Sequence, residues 1–435
     1  MIGDDLYRVR PADGPVIADV DVPPSKSIAN RALVCAALAD GDSEIIGVAP
    51  GDDTASMLDC LEALGCLISL RTTEDDGIAE VSGTGAFLRP GPLQLYAGLA
   101  GTTSRFVTAL AALGPGPYTI DGDEPLRGRP MAPLHDSLTA LGAEVTPLGE
   151  PGHLPVEVSG PLQNADAVVM PGDVSSQYVT AMMLIAPYIP GGLKLWLSTG
   201  LVSRPYLEIT RAVMGGFGVG DVEIHERHVS VARGEYLPTS YFVEPDASSA
   251  SYPLAAAAMV GGAVSVHGLG ADSPQGDARF AEILRSMGCS TTIASRDTVV
   301  MRRRDTPLRG IEIDMSDVSD LVPTMAVVAT QAVTPTRITG VGFIRAKESD
   351  RLGDLSVELR KTGAEITVED DGLLIRPTDH LQGARLETHD DHRLAMAFGL
   401  LGLVVDGIEV ANPGVVSKSW PSYWDVLAAI PARRI

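Results

Sequence analysis

The sequence predicts an α/β protein of two domains, each assembled from three copies of a single unit, and three observations carry that expectation. Polar, loop-like segments recur at Lys26, Thr102, Ser176, Ser249, Asp320 and Asp391, spaced 76, 74, 73, 71 and 71 residues apart. A second series, through Asp53, Arg129, Arg204, Asp277, Glu348 and Lys418, interleaves with the first at intervals of 76, 75, 73, 71 and 70. Leucine-rich segments closed by a Gly return with the same period, at Gly65, Gly142, Gly288 and Gly363. A repeat of this length in 435 residues gives six copies. Six copies exceed one hydrophobic core, which makes two domains of three.

Within a unit the order is strand, polar loop, helix, then strand, loop and helix again. Residues 14–22 alternate through Val16, Ala18, Val20 and Val22, the period of a half-buried strand. Pro23-Pro24 ends it, and Ser25-Lys26-Ser27 opens a helix over 28–38. The next strand is 43–48, after which Pro50-Gly51-Asp52-Asp53-Thr54 opens a helix over 55–64. Ser, Thr and Asp suit such positions because their side chains accept from the N–H groups that a helix start leaves free. Gly65 then supplies the left-handed cap. Carried through six units, the two series become twelve helix starts. The domain boundary is expected at Phe242-Val243-Glu244-Pro245, an extended X-Pro segment before the helix start Ala247-Ser248-Ser249. The strand at the front has no partner in the first unit, so the domains read as 23–242, and 1–22 with 243–435.

Composition excludes several classes. Hydrophobic residues make up 45% and charged residues 20%, a globular balance. The longest apolar run, 398–405, is far short of the roughly twenty residues of a membrane span. The start, Met1-Ile2-Gly3-Asp4-Asp5, has no basic or apolar stretch, so the expected location is the cytoplasm. Cys35, Cys60, Cys66 and Cys289 show no paired metal spacing and read as reduced core thiols. A net charge of −23 repels polyanions, which argues against nucleic acid as a partner. Basic groups that matter must act locally. Helix N-termini aimed at one cleft would attract anions even in an acidic protein.

Four loops carry chemistry. Lys26 with Ser25, Ser27 and Arg31 fails the nucleotide P-loop pattern, whose glycines would fall at Val20 and Ser25. It suits a carboxylate or hydroxylated ring, or is a capped helix with a solvated Lys. Ser175-Ser176-Gln177 offers hydroxyls, an amide and N–H groups to a phosphate, over which Ser203-Arg204-Pro205-Tyr206 could close. Arg345-Ala346-Lys347-Glu348-Ser349-Asp350-Arg351 would place Arg351 on the same helix face as Glu348. Its blander alternative is a surface ion-pair cluster. His389-Asp390-Asp391-His392-Arg393 lacks a supporting ligand cluster, so no metal is expected, and Arg393 reads as an anion clamp with Asp391 or His392 orienting it.

Together, Ser25-Lys26-Ser27-Ile28-Ala29-Asn30-Arg31, Ala100-Gly101-Thr102-Thr103-Ser104-Arg105, Arg129-Pro130-Met131, Val174-Ser175-Ser176-Gln177, Lys347-Glu348-Ser349-Asp350-Arg351, Asp391-His392-Arg393 and Lys418 resemble the ordered motifs of the EPSP synthase (3-phosphoshikimate 1-carboxyvinyltransferase) family. The resemblance implies a two-domain inside-out α/β barrel built from six βαβαββ repeats, three per domain. It implies enolpyruvyl transfer from phosphoenolpyruvate to the 5-hydroxyl of shikimate 3-phosphate, with no cofactor and a monomeric chain. Lys26, Ser27, Arg31, Ser175, Ser176, Gln177, Ser203, Tyr206, Asp320 and Lys347 would then hold shikimate 3-phosphate. Lys26, Gly101, Thr102, Arg129, Gln177, Arg351, Arg393 and Lys418 would hold phosphoenolpyruvate. Asp320 would serve the ring hydroxyl and Glu348 the methylene carbon, with Lys26 a participant, and the two domains would close on the substrates.

Three positions depart from the family pattern. Leu99 stands where an Asn often precedes Ala-Gly-Thr, Phe106 where a Pro follows the Arg, and Phe343 where an Asn precedes the Lys-Glu motif. They bear on shikimate contacts and on sensitivity to glyphosate, the family's inhibitor. The rival UDP-N-acetylglucosamine enolpyruvyl transferases usually carry a Cys before the Arg-Pro motif, and here no Cys lies between Cys66 and Cys289. A non-catalytic anion-binding relative would have no need of both Asp320 and Glu348, and an RNA-processing enzyme conflicts with the charge.

Overall fold

The computed structural model describes residues 2–3, 6–163 and 167–430. Its chain forms two compact units, Pro24–Val243, and Met1–Pro23 with Glu244–Ile435. Each has its own hydrophobic core and, among the described residues, three four-stranded sheets.

All six sheets share one pairing pattern, an edge strand parallel to its neighbour and then two antiparallel pairings, and in four of them a helix links the parallel pair directly. Leu93–Tyr96 runs parallel to Tyr118–Asp121, and the crossover that a parallel pair requires is the helix Gly101–Ala111. The helix Ala132–Ala140 follows, and then a hairpin, Glu144–Pro147 with Val156–Ser159, whose second strand pairs antiparallel with Tyr118–Asp121. Two sheets borrow strands from the start of the chain. Val16–Val20 runs parallel to Gly262–His267, and Leu6–Arg8 pairs antiparallel with Glu409–Ala411. Gly262 is required at the first contact: at φ 126°, a Cβ there would lie 1.8 Å from the Val16 carbonyl oxygen.

Helices open earlier than their polar loops suggest. They run over Lys26–Leu38 and Asp52–Leu64, so Lys26, Ser27 and Asp53 are first-turn residues. Gly65 adopts φ 118°, and its N–H with that of Cys66 closes the helix on Glu62 and Leu61 carbonyls. Gly142, Gly288 and Gly363 are also left-handed.

Twelve helix starts are not what forms. Arg129 precedes the helix Ala132–Ala140, and Asp277 lies in the 3₁₀ turn Gly276–Arg279. Glu348 sits between the turn Gly342–Ala346 and the helix Gly353–Lys361, while Lys418 ends the turn Pro413–Lys418 ahead of Tyr423–Ala429. Local chemistry delays these helices. Asp350 Oδ1 accepts the N–H groups of Leu352 and Gly353 at 3.2 and 2.9 Å, so the start falls there. Pro421 disfavours a helical Trp420. Arg351 is therefore not on a shared helix face with Glu348.

All four cysteines are free and buried, and burial pushes Cys60 and Cys66 up to about 12 and Cys289 to about 11. No helix among the described residues is long and apolar enough to cross a membrane.

Candidate active site

In the unit that contains both chain ends, seven charged groups meet. The turn Ser319–Leu321 presents Asp320, and the loop after Gly342–Ala346 presents Lys347, Glu348 and Arg351. Asp391 caps the helix His392–Gly402, which carries Arg393 in its first turn. Arg351 is only 1% exposed. It donates from Nε to Asp391 at 2.7 Å, from Nη1 to Asp320 at 2.8 Å and from Nη2 to Glu348 at 2.6 Å. Arg393 Nη2 donates to Asp320 at 3.1 Å, Lys347 Nζ lies 3.9 Å from Asp320, and Lys418 Nζ lies 3.8 Å from Glu348. Four cations thus face three carboxylates, an excess of one positive charge among these seven groups. The cluster is a largely buried mesh and not the surface ion-pair cluster of the blander alternative, and contact between opposite charges is what makes burial of so many tolerable.

Electrostatics follow from that packing. Burial would raise the Asp320 carboxyl, but Arg393, Lys347 and Arg351 hold it far below the usual carboxylate range. Burial pushes the Lys347 ammonium down, with Asp320 opposing. Phe343 lies under the same ammonium, 5.9 Å from ring centroid to Nζ, so this departure substitutes a cation–π contact for an amide.

The other unit holds a second set. Lys26 Nζ donates to Asp53 Oδ2 at 2.7 Å, and the Asp53 carbonyl accepts from Thr103 Oγ1 at 3.2 Å. Gln177 Nε2 donates to Thr102 Oγ1 at 3.3 Å. At Gly101 a Cβ would sit 2.6 Å from Arg105 Nη1 and 2.8 Å from Arg129 Nη1, so two guanidinium groups pack on the start of the helix Gly101–Ala111. Arg31 lies deeper, 2% exposed, and donates to the Ser27 and Tyr206 carbonyls and the Thr180 and Thr210 hydroxyls. Its guanidinium is 5.5 Å from the Phe106 ring centroid and 5.8 Å from that of Tyr206. Burial lowers it to about 10, still charged at neutral pH.

The hydroxyl-rich loops are joined. Ser175 Oγ accepts from Gln177 N–H at 3.3 Å, capping the helix Ser176–Ile185. Thr199 Oγ1 accepts from the Gly172 and Asp173 N–H groups, and Val202 N–H reaches the Gly172 carbonyl at 3.1 Å, which brings buried Ser203 to the same loop pair. Arg204 does not close over them: it turns to the Ile224 carbonyl at 3.2 Å and to Glu208 at 3.7 Å.

Three residues take roles that the sequence reading did not assign them. Asp53 is the counter-ion of Lys26, a pairing that the half-unit offset between the two series could have suggested. Asp391 serves Arg351 before it serves Arg393. Asp277 is a buried carboxyl that accepts from Ser248 Oγ, pushed up to about 7 by burial and by Asp320. Among the described residues one group of metal-type ligands gathers, Glu223, His225 and His228. The two imidazoles are stacked with centroids 4.4 Å apart and planes 10° apart, so a metal in the plane of one ring lies outside the plane of the other.

Six similarly paired sheets and a mesh of guanidinium and ammonium groups around carboxylates define an α/β protein whose site suits small anions. The profile of the family described as EPSP synthase (3-phosphoshikimate 1-carboxyvinyltransferase) matches residues 12–427. The chain is 40% identical over 415 residues to the 3-phosphoshikimate 1-carboxyvinyltransferase of Methanoculleus marisnigri, covering 95% of this chain and 97% of the relative. It is 37% identical over 421 residues to that of a Nostoc species, covering 97% and 98%. The structure of EPSP synthase from Acinetobacter baumannii aligns with a TM-score of 0.82 at 25% identity over 98% of both chains. The chain belongs to the EPSP synthase family, a family of transferases.

Proposed function

We infer that the protein transfers the enolpyruvyl group of phosphoenolpyruvate to the 5-hydroxyl of shikimate 3-phosphate and releases phosphate. The observation that carries the reading is the mesh in which Asp320 and Glu348 share four cations. Each substrate brings a phosphate and a carboxylate, and fixed guanidinium and ammonium groups answer both.

In the addition step Asp320 takes the hydroxyl proton as the oxygen attacks the enol carbon, and Glu348 delivers a proton to the methylene carbon, which becomes a methyl group. In the elimination step that methyl loses a proton, the double bond returns and phosphate leaves. With its cations in contact Asp320 is a weak base. Substrate anions that engage Arg393 and Lys347 draw positive charge from it and raise its proton affinity at the moment it is needed. Arg129, Arg351, Arg393, Lys418, Gly101 and Thr102 are assigned to phosphoenolpyruvate, and Lys26 and Gln177 to both substrates. Ser27, Ser175, Ser176, Ser203, Tyr206 and Lys347 are assigned to shikimate 3-phosphate, with Arg31 supplying positive charge from behind Ser27 and Tyr206. The reading includes the inside-out barrel of six βαβαββ repeats and a cytoplasmic, monomeric enzyme of two domains, 23–242 on the shikimate 3-phosphate side and 1–22 with 243–435 carrying the acid–base carboxylates and the Arg351, Arg393 and Lys418 clamps.

The test is phosphate release from phosphoenolpyruvate. Release that depends on shikimate 3-phosphate is expected. Release that depends instead on UDP-N-acetylglucosamine, or on neither acceptor, overturns the assignment.

A further inference from the structure

The turn that delivers Asp391 is built against the preference of its backbone. His389 and Asp390 are consecutive left-handed residues, φ 50° and 56°, and neither is a Gly. Such a pair persists only where surrounding groups over-determine it. Glu358, on the helix Gly353–Lys361 and 2% exposed, accepts the Glu387 N–H at 2.8 Å and the Lys361 ammonium at 2.5 Å through Oε2. Its Oε1 lies 3.1 Å from His389 Nε2. From the other side Asn412, itself at φ 46°, donates to Asp390 Oδ1 at 2.8 Å. The next residue, Asp391, accepts Arg351 Nε at 2.7 Å and Ser349 Oγ at 3.2 Å, and caps its helix through the Arg393 N–H at 2.9 Å. A shift of the turn therefore moves Arg351 and Arg393 together.

We propose that Glu358 is a positioning residue of this site: it tethers His389 and the chain at Glu387, fixing the left-handed turn so that Asp391 sets Arg351 and Arg393 for the phosphoenolpyruvate anion. The proposal rests on the reaction inferred above, and Glu358 itself touches no reacting atom. Burial raises its carboxyl, but Lys361, the Glu387 N–H and His389 outweigh that and keep it below the ordinary Glu value, as suits an ionised tether.

Glu358→Gln keeps the side chain's size and an acceptor for the Glu387 N–H but gives up its charge. Hydrogen exchange of the full chain, read by mass spectrometry, is expected to quicken about tenfold over residues 384–396 and stay unchanged at 16–20 and 262–267. Steady-state kinetics should show KM for phosphoenolpyruvate raised about tenfold, with kcat and KM for shikimate 3-phosphate within about twofold. His389→Gly, which frees the backbone but removes the imidazole, should reproduce the KM shift. Unchanged local exchange in Glu358→Gln, a wild-type KM in His389→Gly, or a fall in kcat at constant KM overturns the proposal, the last by showing a merely structural role. Absence of phosphate release by the wild type would sink the reaction reading, while exchange would still judge the tether.

Discussion

Arg351 and Arg31 are buried to the same degree, one in each unit, and are kept there by opposite means. Three carboxylates enclose Arg351, and burial, which lowers its proton affinity, is overridden by Asp391, Glu348 and Asp320. Arg31 donates to two carbonyl oxygens and two hydroxyls, and its proton affinity falls. The contrast separates two uses of a buried cation. One neutralises and locates the carboxylates to which proton transfer is assigned above. The other, with no anion among those hydrogen bonds, projects its charge toward whatever lies beyond Ser27 and Tyr206.

On that division the carboxylate-rich set combines chemistry with anion clamps, and the hydroxyl-rich set serves binding alone. Glu348→Gln should lower kcat by about 10² to 10⁴ while each KM stays within a few-fold in steady-state assays, and unchanged turnover would break the contrast. Arg351→Met removes the one cation hydrogen-bonded to all three carboxylates of a buried mesh and should cost about 3–5 kcal/mol of unfolding free energy in urea. Arg31→Met at the same burial strands only neutral groups and should cost less than about 2 kcal/mol. Equal costs would show that the partners do not matter.

Asp277 sharpens the comparison through pH. Its proton is held more tightly folded than unfolded, so its contribution to stability is full below pH 3.8 and is lost as pH rises through about 7. Wild type should weaken relative to Asp277→Asn by on the order of a few kcal/mol between about pH 4 and 7, and parallel stability curves would show that the carboxyl is already ionised. The smallest effect is expected at Gly101→Ala. The added methyl must displace Arg105 and Arg129, which should raise KM for phosphoenolpyruvate about tenfold with little change in kcat. A larger loss in kcat there would erase the distinction between binding and chemistry.

Sequence period alone located many of the loops that gather these groups, because the first series marks one place in every unit: Lys26, Thr102, Ser176 and Asp391 stand at or beside helix starts. The period misled where local chemistry postponed a helix, at Arg129, Glu348 and Lys418, since a Pro or an Asp cap a few residues later outweighs a repeat position. Spacing hinted at Arg351 with Glu348 and at Lys26 with Asp53, but carried no sign that Asp320 and Asp391 also pair with Arg351.

The chain's own order of residues determined six similar units, their crossover helices, their left-handed glycine caps and the residue types offered at each loop, because periodicity and capping are local properties. Only tertiary packing decided that carboxylates surround Arg351 whereas carbonyls and hydroxyls receive Arg31, that Asp53 holds Lys26, and that Glu358 braces a left-handed turn thirty-one residues on. Ion pairing and desolvation depend on distances set by the whole fold, and no window of sequence contains them.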